Sequence, residues 1–175
     1  MEEPRTIESY LRDTIGENPM DVVINSAEWY ERGLALRKAG LFKRAIEQFE
    51  KAASDQTYTL KAHAQIGLCC KSSGRYEDAV LAFRKALQSP TSSTKETVQI
   101  LYVLGRTLES LGRISESLEA YRWIRREDPG YRDVAHRIQQ LSSRRPVMKG
   151  RKPVPSESWM GDMFRSWQSL LRTSK

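Results

Sequence analysis

The stretch WYERGLALRKAGLFKRAIEQFEKA, residues 29–52, contains two glycines seven positions apart, Gly33 and Gly40. Apolar residues recur at helical spacing on both sides of Gly40, so the stretch predicts two helices that are separated at that glycine. Gly33 has no side chain and lets the two helices approach closely. The small Ala45 lets the second helix pack near the first, and Phe49 lies one turn further along the same face. The stretch therefore predicts an antiparallel pair of helices.

The same pattern occurs twice more in the chain. HAQIGLCCKSSGRYEDAVLAFRKA begins at residue 63, and LYVLGRTLESLGRISESLEAYRWI begins at residue 101. The first glycines are Gly33, Gly67 and Gly105, the second are Gly40, Gly74 and Gly112, the small residues are Ala45, Ala79 and Ser117, and the aromatic residues are Phe49, Phe83 and Tyr121. Copies one and two are 34 residues apart, and copies two and three are 38 residues apart. Three copies in register predict a solenoid of stacked helix pairs.

Capping signals and apolar stripes place the remaining helices. Ser93 and Glu96 have the spacing of a capping box, so the first helix of copy three is predicted to begin near Thr94, and Asn25 with Glu28 has the same spacing. After copy three, a helix is predicted to cover the last pair, with an apolar stripe of Tyr131, Val134, Ala135, Ile138 and Leu141. Residues 6–16 predict a short N-terminal helix with Thr6 as its cap, Gly16 as its stop and an apolar set of Ile7, Tyr10, Leu11 and Ile15.

The three copies resemble the tetratricopeptide repeat family over about residues 26–129. Copy one has the family's Trp, Gly, Ala, aromatic and Ala positions, at Trp29, Gly33, Ala45, Phe49 and Ala52. His63 stands where the family usually has Trp, Ser117 and Ile124 stand where it usually has Ala, and Pro129 matches its closing proline. The resemblance implies an all-α fold, a right-handed α-α superhelix. It also implies that the chain is a protein–protein interaction adaptor or scaffold with a protein or peptide partner.

The resemblance further implies a concave groove, lined by the first helix of each pair, that binds an amphipathic or extended peptide. Its contacts are expected at Tyr30, Leu34, Arg37, Lys61, Ala64, Leu68, Lys71, Tyr102 and Arg106, with Ala27, Gln99 and Glu109 completing the set. The middle positions are mostly apolar and the outer ones mostly basic, which favours a ligand with an apolar stripe and acidic flanks. Tyr30, Leu34 and Leu68 have a second interpretation, in which they pack against neighbouring helices.

Charge divides the chain into a nearly neutral body and a basic tail. Of its 29 Lys and Arg and 22 Asp and Glu residues, eight and two respectively lie in residues 142–175. The balance of the body argues against nucleic acid as its partner. We expect four parts: residues 1–25 with a short helix and a turn, residues 26–143 with the three repeats and a cap helix, a basic proline-containing linker at residues 144–155, and an amphipathic helix at residues 156–175.

The C-terminal segment has one apolar face. On a helix, Trp159, Met160, Met163, Phe164, Trp167, Leu170 and Leu171 fall within an arc of roughly 140°. An apolar face of this size predicts that the helix docks on another surface. Three surfaces remain open: a groove of this chain or of a second copy, which would give a homodimer by exchange, a separate partner protein, or an anionic membrane. The last defines the alternative function, a peripheral membrane-recruitment module that uses the basic linker.

Nothing in the sequence indicates catalysis. The two histidines, His63 and His136, lie on predicted helices away from any nucleophile motif, so we expect structural roles for both and no catalytic residues. No phosphate loop or metal-ligand spacing occurs, so neither a cofactor nor a metal is expected. Cys69 and Cys70 are adjacent and are expected to be buried and reduced. With an acidic, polar N-terminus and no apolar run of membrane-spanning length, a cytoplasmic location is expected.

Overall fold

The computed structural model describes residues 25–89 and 93–143, and these residues form an all-α solenoid. Its seven helices are α1 (Ser26–Lys38), α2 (Phe42–Ala52), α3 (Gln56–Ser72), α4 (Tyr76–Leu87), α5 (Thr94–Ser110), α6 (Ile114–Glu127) and α7 (Val134–Ser143). The predicted N-terminal helix, the basic linker and the predicted amphipathic helix lie outside the described residues.

Consecutive helices pack on one another along the described chain, as the three-copy pattern predicts. The pairs α1 and α2, α3 and α4, and α5 and α6 correspond to copies one, two and three, and each pair also contacts the next. The first helices of copies one and two contact each other as well, α1 against α3. This stacking places α1, α3 and α5 side by side along one surface.

The first glycine of each copy lies where the two helices of a pair come closest. A Cβ atom added at Gly33 would lie 2.5 Å from the ring of Phe49, far inside van der Waals contact. The equivalent distances are 2.5 Å from Gly67 to Phe83 and 2.7 Å from Gly105 to Tyr121. The aromatic side chains are fully buried. In each pair of helices, the ring from the second helix therefore packs directly on the glycine of the first. The predicted close approach is confirmed in all three copies.

The second glycine ends the first helix of each pair. Gly40 has a φ of 75°, in the left-handed region, and its N–H donates to the carbonyl of Arg37 at 3.0 Å. The next N–H, of Leu41, donates to the carbonyl of Leu36 at 2.9 Å, which completes a Schellman motif. The same two bonds occur at Gly74 and Gly112. The predicted helix stops are therefore confirmed.

Side-chain caps fix where helices begin. Ser93 and Glu96 form a reciprocal capping box, and α5 begins at Thr94 as predicted. The Asn25 side chain accepts a hydrogen bond from the backbone N–H of Glu28 at 3.0 Å. Asp55, which the sequence analysis did not single out, caps α3 by accepting from the N–H of Thr57 at 2.9 Å.

Helix α7 packs on α6 through three buried side chains, Val134, Ile138 and Leu141, which join the main hydrophobic core. The predicted stripe is wrong at Ala135, which is exposed, because it lies about 100° around the helix from Val134, outside the face that packs on α6. Tyr131 precedes the helix and packs against the core from the turn.

Candidate functional site

The predicted contact residues all belong to α1, α3 and α5, and we call the surface predicted from them the groove face. Helix α1 carries Ala27, Tyr30, Leu34 and Arg37, helix α3 carries Lys61, Ala64, Leu68 and Lys71, and helix α5 carries Gln99, Tyr102, Arg106 and Glu109. Residues that are one repeat apart, such as Leu34 and Leu68, occupy the same position on neighbouring helices. The predicted contact residues thus lie on three helices of the stack, but they differ in how far they are exposed to solvent.

Tyr30 is half-buried and takes part in packing. Its ring centroid lies 5.6 Å from that of Phe49 and 5.5 Å from that of Tyr58, and Gln65 donates to its hydroxyl at 3.3 Å. Leu34 also packs against the cluster around Phe49. Both residues keep part of their surface open, so their packing role and a ligand-binding role are compatible.

Ala64 and Leu68 form the middle of the groove face on α3. Both are half-buried and pack against the main core, which extends from α3 to α7. Because the core fixes one side of each residue and the other side is exposed to solvent, they offer a fixed apolar surface. An apolar side chain of a peptide placed there would gain free energy at about 25 cal/mol per Å² of apolar area removed from water.

Tyr102 does not offer an open surface in the third copy. Only 7% of it is exposed, and its hydroxyl donates to Oδ1 of Asp133 at 2.8 Å. The ring of Tyr131 lies 5.7 Å from its own, and the Arg132 guanidinium lies 4.7 Å from its centroid. The turn before α7 therefore covers this position, and Tyr102 is a packing residue in the described structure.

Glu109, at the outer edge of the groove face, is also engaged by helix packing. It accepts a hydrogen bond from the Tyr121 hydroxyl, and Arg137 of α7 donates to it at 3.0 Å. Arg137 also pairs with Asp133 at 2.8 Å. Burial, reinforced by the hydrogen bond to Glu109, raises the pKa of Tyr121.

This network was not predicted from the sequence. Its one signal was Tyr121 in place of the Phe that stands at the equivalent position of copies one and two, because a buried hydroxyl requires a partner. Similarly, Ser117 replaces alanine, is fully buried and donates its hydroxyl to the carbonyl of Gly105 at 3.0 Å. Copy three thus holds its helices with hydrogen bonds that the other copies lack.

Three cations, Arg37, Lys71 and Arg106, run across the groove face, one on each helix, and we call them the basic row. Burial lowers the pKa of Lys71, and the nearby charge of Arg106 lowers it further. The Nε atom of Arg37 is buried without a hydrogen-bond partner among the described residues. Lys61 and Arg106 are exposed, so the charge is accessible to a ligand.

A concave surface lies between α2 and α4, with α3 as its floor, and has a volume of about 380 Å³. Ile46, Ile66, Cys70 and Leu81 are among its lining residues, and Leu81 is 57% exposed. His63 also lines this α2–α4 cleft, and burial lowers its pKa, with a further decrease from Lys85 and an opposing effect of Glu50. Sequence analysis did not find the cleft, because its walls come from two different copies.

The groups with reactive chemistry are few among residues 25–89 and 93–143. Cys69 and Cys70 are buried free thiols, as predicted, and burial raises the pKa of Cys69 to about 11, so the thiol stays protonated at neutral pH. His136 is exposed on α7. Within the described ranges, no cluster of three or more His, Cys, Asp or Glu residues has an arrangement that fits a metal ion. None of the described helices is both long enough and apolar enough to cross a membrane.

Comparison with known families agrees with this architecture. A model described as tetratricopeptide repeat matches residues 30–93 and, in an overlapping match, residues 71–132. The chain belongs to the tetratricopeptide repeat family. Tetratricopeptide repeat proteins are generally non-enzymatic adaptors, and their fold is that of a scaffold for protein–protein interaction. No curated protein matches the chain in sequence at a significant level.

Solved structures with this fold include two crystal structures of MamA. One superposes with a TM-score of 0.60 at 17% identity, over 94% of this chain and 82% of MamA, and the other with 0.58 at 19% identity, over 85% and 72%. A match to the crystal structure of YrrB has a TM-score of 0.36 and 14% identity, over 91% of both chains. At these identities the similarity to MamA establishes the fold alone.

Proposed function

We propose that this tetratricopeptide repeat protein is an adaptor whose groove face binds an amphipathic or extended peptide with an apolar stripe and acidic flanks. The observation that supports this is the spacing on α1 and α3, where half-buried Leu34 and Leu68 each precede a cation of the basic row, Arg37 and Lys71, by three positions and so share a helix face with it. Apolar side chains of the ligand would contact the half-buried apolar residues, and its carboxylates would contact the cations. The first two copies supply most of the open surface, because Tyr102 is covered.

We propose further that residues 156–172 of the chain are themselves a ligand for this face, in the same molecule or in a second copy. The apolar face predicted for this segment is large enough to need a partner surface. The linker of residues 144–155 contains Pro146, Pro153 and Pro155. An extended linker of this kind spans on the order of 40 Å at about 3.1 Å per residue. Docking within one molecule and exchange between two are therefore both within reach.

The test is binding of a fluorescein-labelled peptide of residues 156–172 to the chain that ends at residue 149. We expect saturable binding, weakened about tenfold or more by Ala64→Gln, because the new side chain occupies the centre of the apolar surface. Ala35→Gln is the matched control, since Ala35 is exposed on α1 and lies outside the predicted contact set. Thermal melts of both variants check that the fold is kept. Absence of binding, or equal loss in both variants, contradicts docking on the groove face.

A second candidate, recruitment to an anionic membrane, is favoured by the charge of residues 142–175. Eight basic and two acidic residues surround the apolar side chains of that region, a combination that binds anionic lipid surfaces. Co-sedimentation of the full chain with phosphatidylserine vesicles at physiological salt tests it. The adaptor proposal expects no co-sedimentation. Salt-sensitive co-sedimentation that Trp159→Ala with Trp167→Ala abolishes would instead support the membrane function.

A further inference from the structure

The basic row carries positive charge that the described structure does not neutralise. The ion pairs among the described residues join Arg75, Arg84, Arg113 and Arg137 to carboxylates, and none includes Arg37, Lys71 or Arg106. Lys71 and Arg106 lie close enough for the second to disfavour the charge of the first. Cations held side by side at a partly buried surface favour an anionic ligand.

The two undescribed ends of the chain differ sharply in charge. Residues 1–24 contain six acidic residues, Glu2, Glu3, Glu8, Asp13, Glu17 and Asp21, against two basic residues, Arg5 and Arg12. Residues 142–175 contain eight basic and two acidic residues. Electrostatics therefore attracts the N-terminal segment to the basic row and opposes the approach of the basic linker.

The N-terminal segment also has the apolar content that the groove face suits. Ile7, Tyr10, Leu11 and Ile15 are interspersed with Glu8, Asp13 and Glu17. The face offers half-buried Leu34, Ala64 and Leu68 beside its cations. An apolar stripe with acidic flanks is the ligand chemistry proposed above for this surface, and the chain carries such a sequence directly before α1.

The length of this segment is sufficient for it to fold back. It joins α1 at Asn25, the N-cap residue, and Arg37 lies twelve residues further along the same helix, which corresponds to about 18 Å at 1.5 Å per residue. From Asn25 back to Asp13 the chain also has twelve residues, and in extended form they reach about 40 Å. Glu8, Asp13 and Glu17, which precede Asn25 by eight residues or more, are thus within reach of the basic row.

We propose that residues 1–24 cover the basic row of their own molecule and compete with other ligands for the groove face. This inference rests on the proposed function, since it assigns an occupant to the same face. It makes the groove autoinhibited: a partner must displace the acidic segment before it binds. Because the contact is largely electrostatic and partly exposed, it weakens as salt is raised.

The direct test is zero-length cross-linking of the full chain with a carbodiimide, which joins a carboxylate to an amine only in contact, followed by mass spectrometry of the monomer. We expect links from the carboxylates of Glu8, Asp13 or Glu17 to Lys71, lost at 1 M salt. Lys43 and Lys95, exposed on α2 and α5 and outside the basic row, are the internal controls. Links spread evenly over all exposed lysines, or links from Lys71 to Glu157 or Asp162 instead, overturn the proposal.

A competition experiment separates this inference from the proposed function. In the chain that ends at residue 149, which lacks the competing residues 156–172, Glu8→Gln, Asp13→Asn, Glu17→Gln and Asp21→Asn together remove four charges from the segment. We expect the labelled 156–172 peptide to bind this variant several-fold more tightly than the unaltered chain. An unchanged affinity overturns autoinhibition but leaves groove binding intact. If the peptide binds neither chain, the proposed function fails, and the cross-linking result alone decides the inference.

Discussion

At the residue scale, the fold depends on contacts that recur at fixed offsets, and for this reason the sequence predicted them well. Two kinds of position require glycine: one that faces an aromatic ring at close distance and one with a left-handed φ. Both can therefore be recognised directly in the sequence. Gly67 and Phe83 are an example, since both members of the contact belong to one copy. The hydroxyl bond of Ser117 was not predicted, because the repeat pattern requires only a small residue at that position and does not say which carbonyl a hydroxyl there would reach.

We expect Gly67→Ala to destabilise the protein by about 1–3 kcal/mol, although alanine is the better helix former by about 1 kcal/mol. The added Cβ would meet the Phe83 ring at 2.5 Å, and that ring is only 1% exposed, so it has little room to move. Urea unfolding measures the change. Gly130→Ala is the control, because its added Cβ would have its nearest neighbour at 3.8 Å. Recovery of stability in Gly67→Ala with Phe83→Leu would assign the loss to this contact.

His63 makes stability depend on pH in a defined direction. Burial in the α2–α4 cleft lowers its pKa below 6.5, with Lys85 adding to the decrease and Glu50 opposing it, while Arg75 and Asp78 also line the cleft. The unfolded chain therefore binds the proton more readily than the folded chain, and stability falls as pH drops through and below about 6.5. We expect His63→Gln to flatten the decrease in urea midpoint from about pH 7 to pH 5. His136→Gln is the control, and an unchanged slope in His63→Gln would contradict this role.

At the element scale, α7 decides how much of the groove face is open. The repeat pattern placed Tyr102 and Glu109 at contact positions, but Asp133, in the turn before α7, binds Tyr102, and Arg137 of α7 pairs with Glu109. These contacts join residues about thirty positions apart, and no spacing rule within a repeat encodes them. The helix itself was predictable from its apolar stripe, whereas its effect on the groove required the packed structure.

We expect Arg137→Ala to destabilise the protein by about 1.5–3 kcal/mol, because it removes charge-assisted hydrogen bonds from two carboxylates. Glu109 is then left beside the Tyr121 hydroxyl without its cation. A double-mutant cycle with Glu109→Gln, measured by urea unfolding, isolates the coupling of the pair. Arg125→Ala, at an exposed position of α6, is the matched control. A loss no larger than that of the control would mean that the pair contributes little to holding α7.

At the scale of the whole molecule, the described residues form a continuous stack. The main core runs from Leu60 of α3 to Leu141 of α7, and a second cluster around Phe49 joins α1 and α2 to α3. Ile46 and Ile66 pack against both clusters, so the two are linked. In a solenoid, stability is the sum of repeat and interface contributions, and each repeat here has a neighbour on at least one side.

We therefore expect the chain that ends at residue 143 to fold without the C-terminal segment. Its hydrophobic core among residues 25–89 and 93–143 is supplied by α1–α7, and α7 already packs on α6. Circular dichroism should show a highly helical spectrum and a single cooperative thermal transition. Sedimentation of this truncation beside the full chain adds a second readout. If residues 156–172 exchange between copies, only the full chain sediments as a dimer. If they dock on the groove face of their own molecule, both chains sediment as monomers. A broad, non-cooperative melt of the truncation would mean that the C-terminal segment belongs to the core, and the division of the chain at residue 143 would then be wrong.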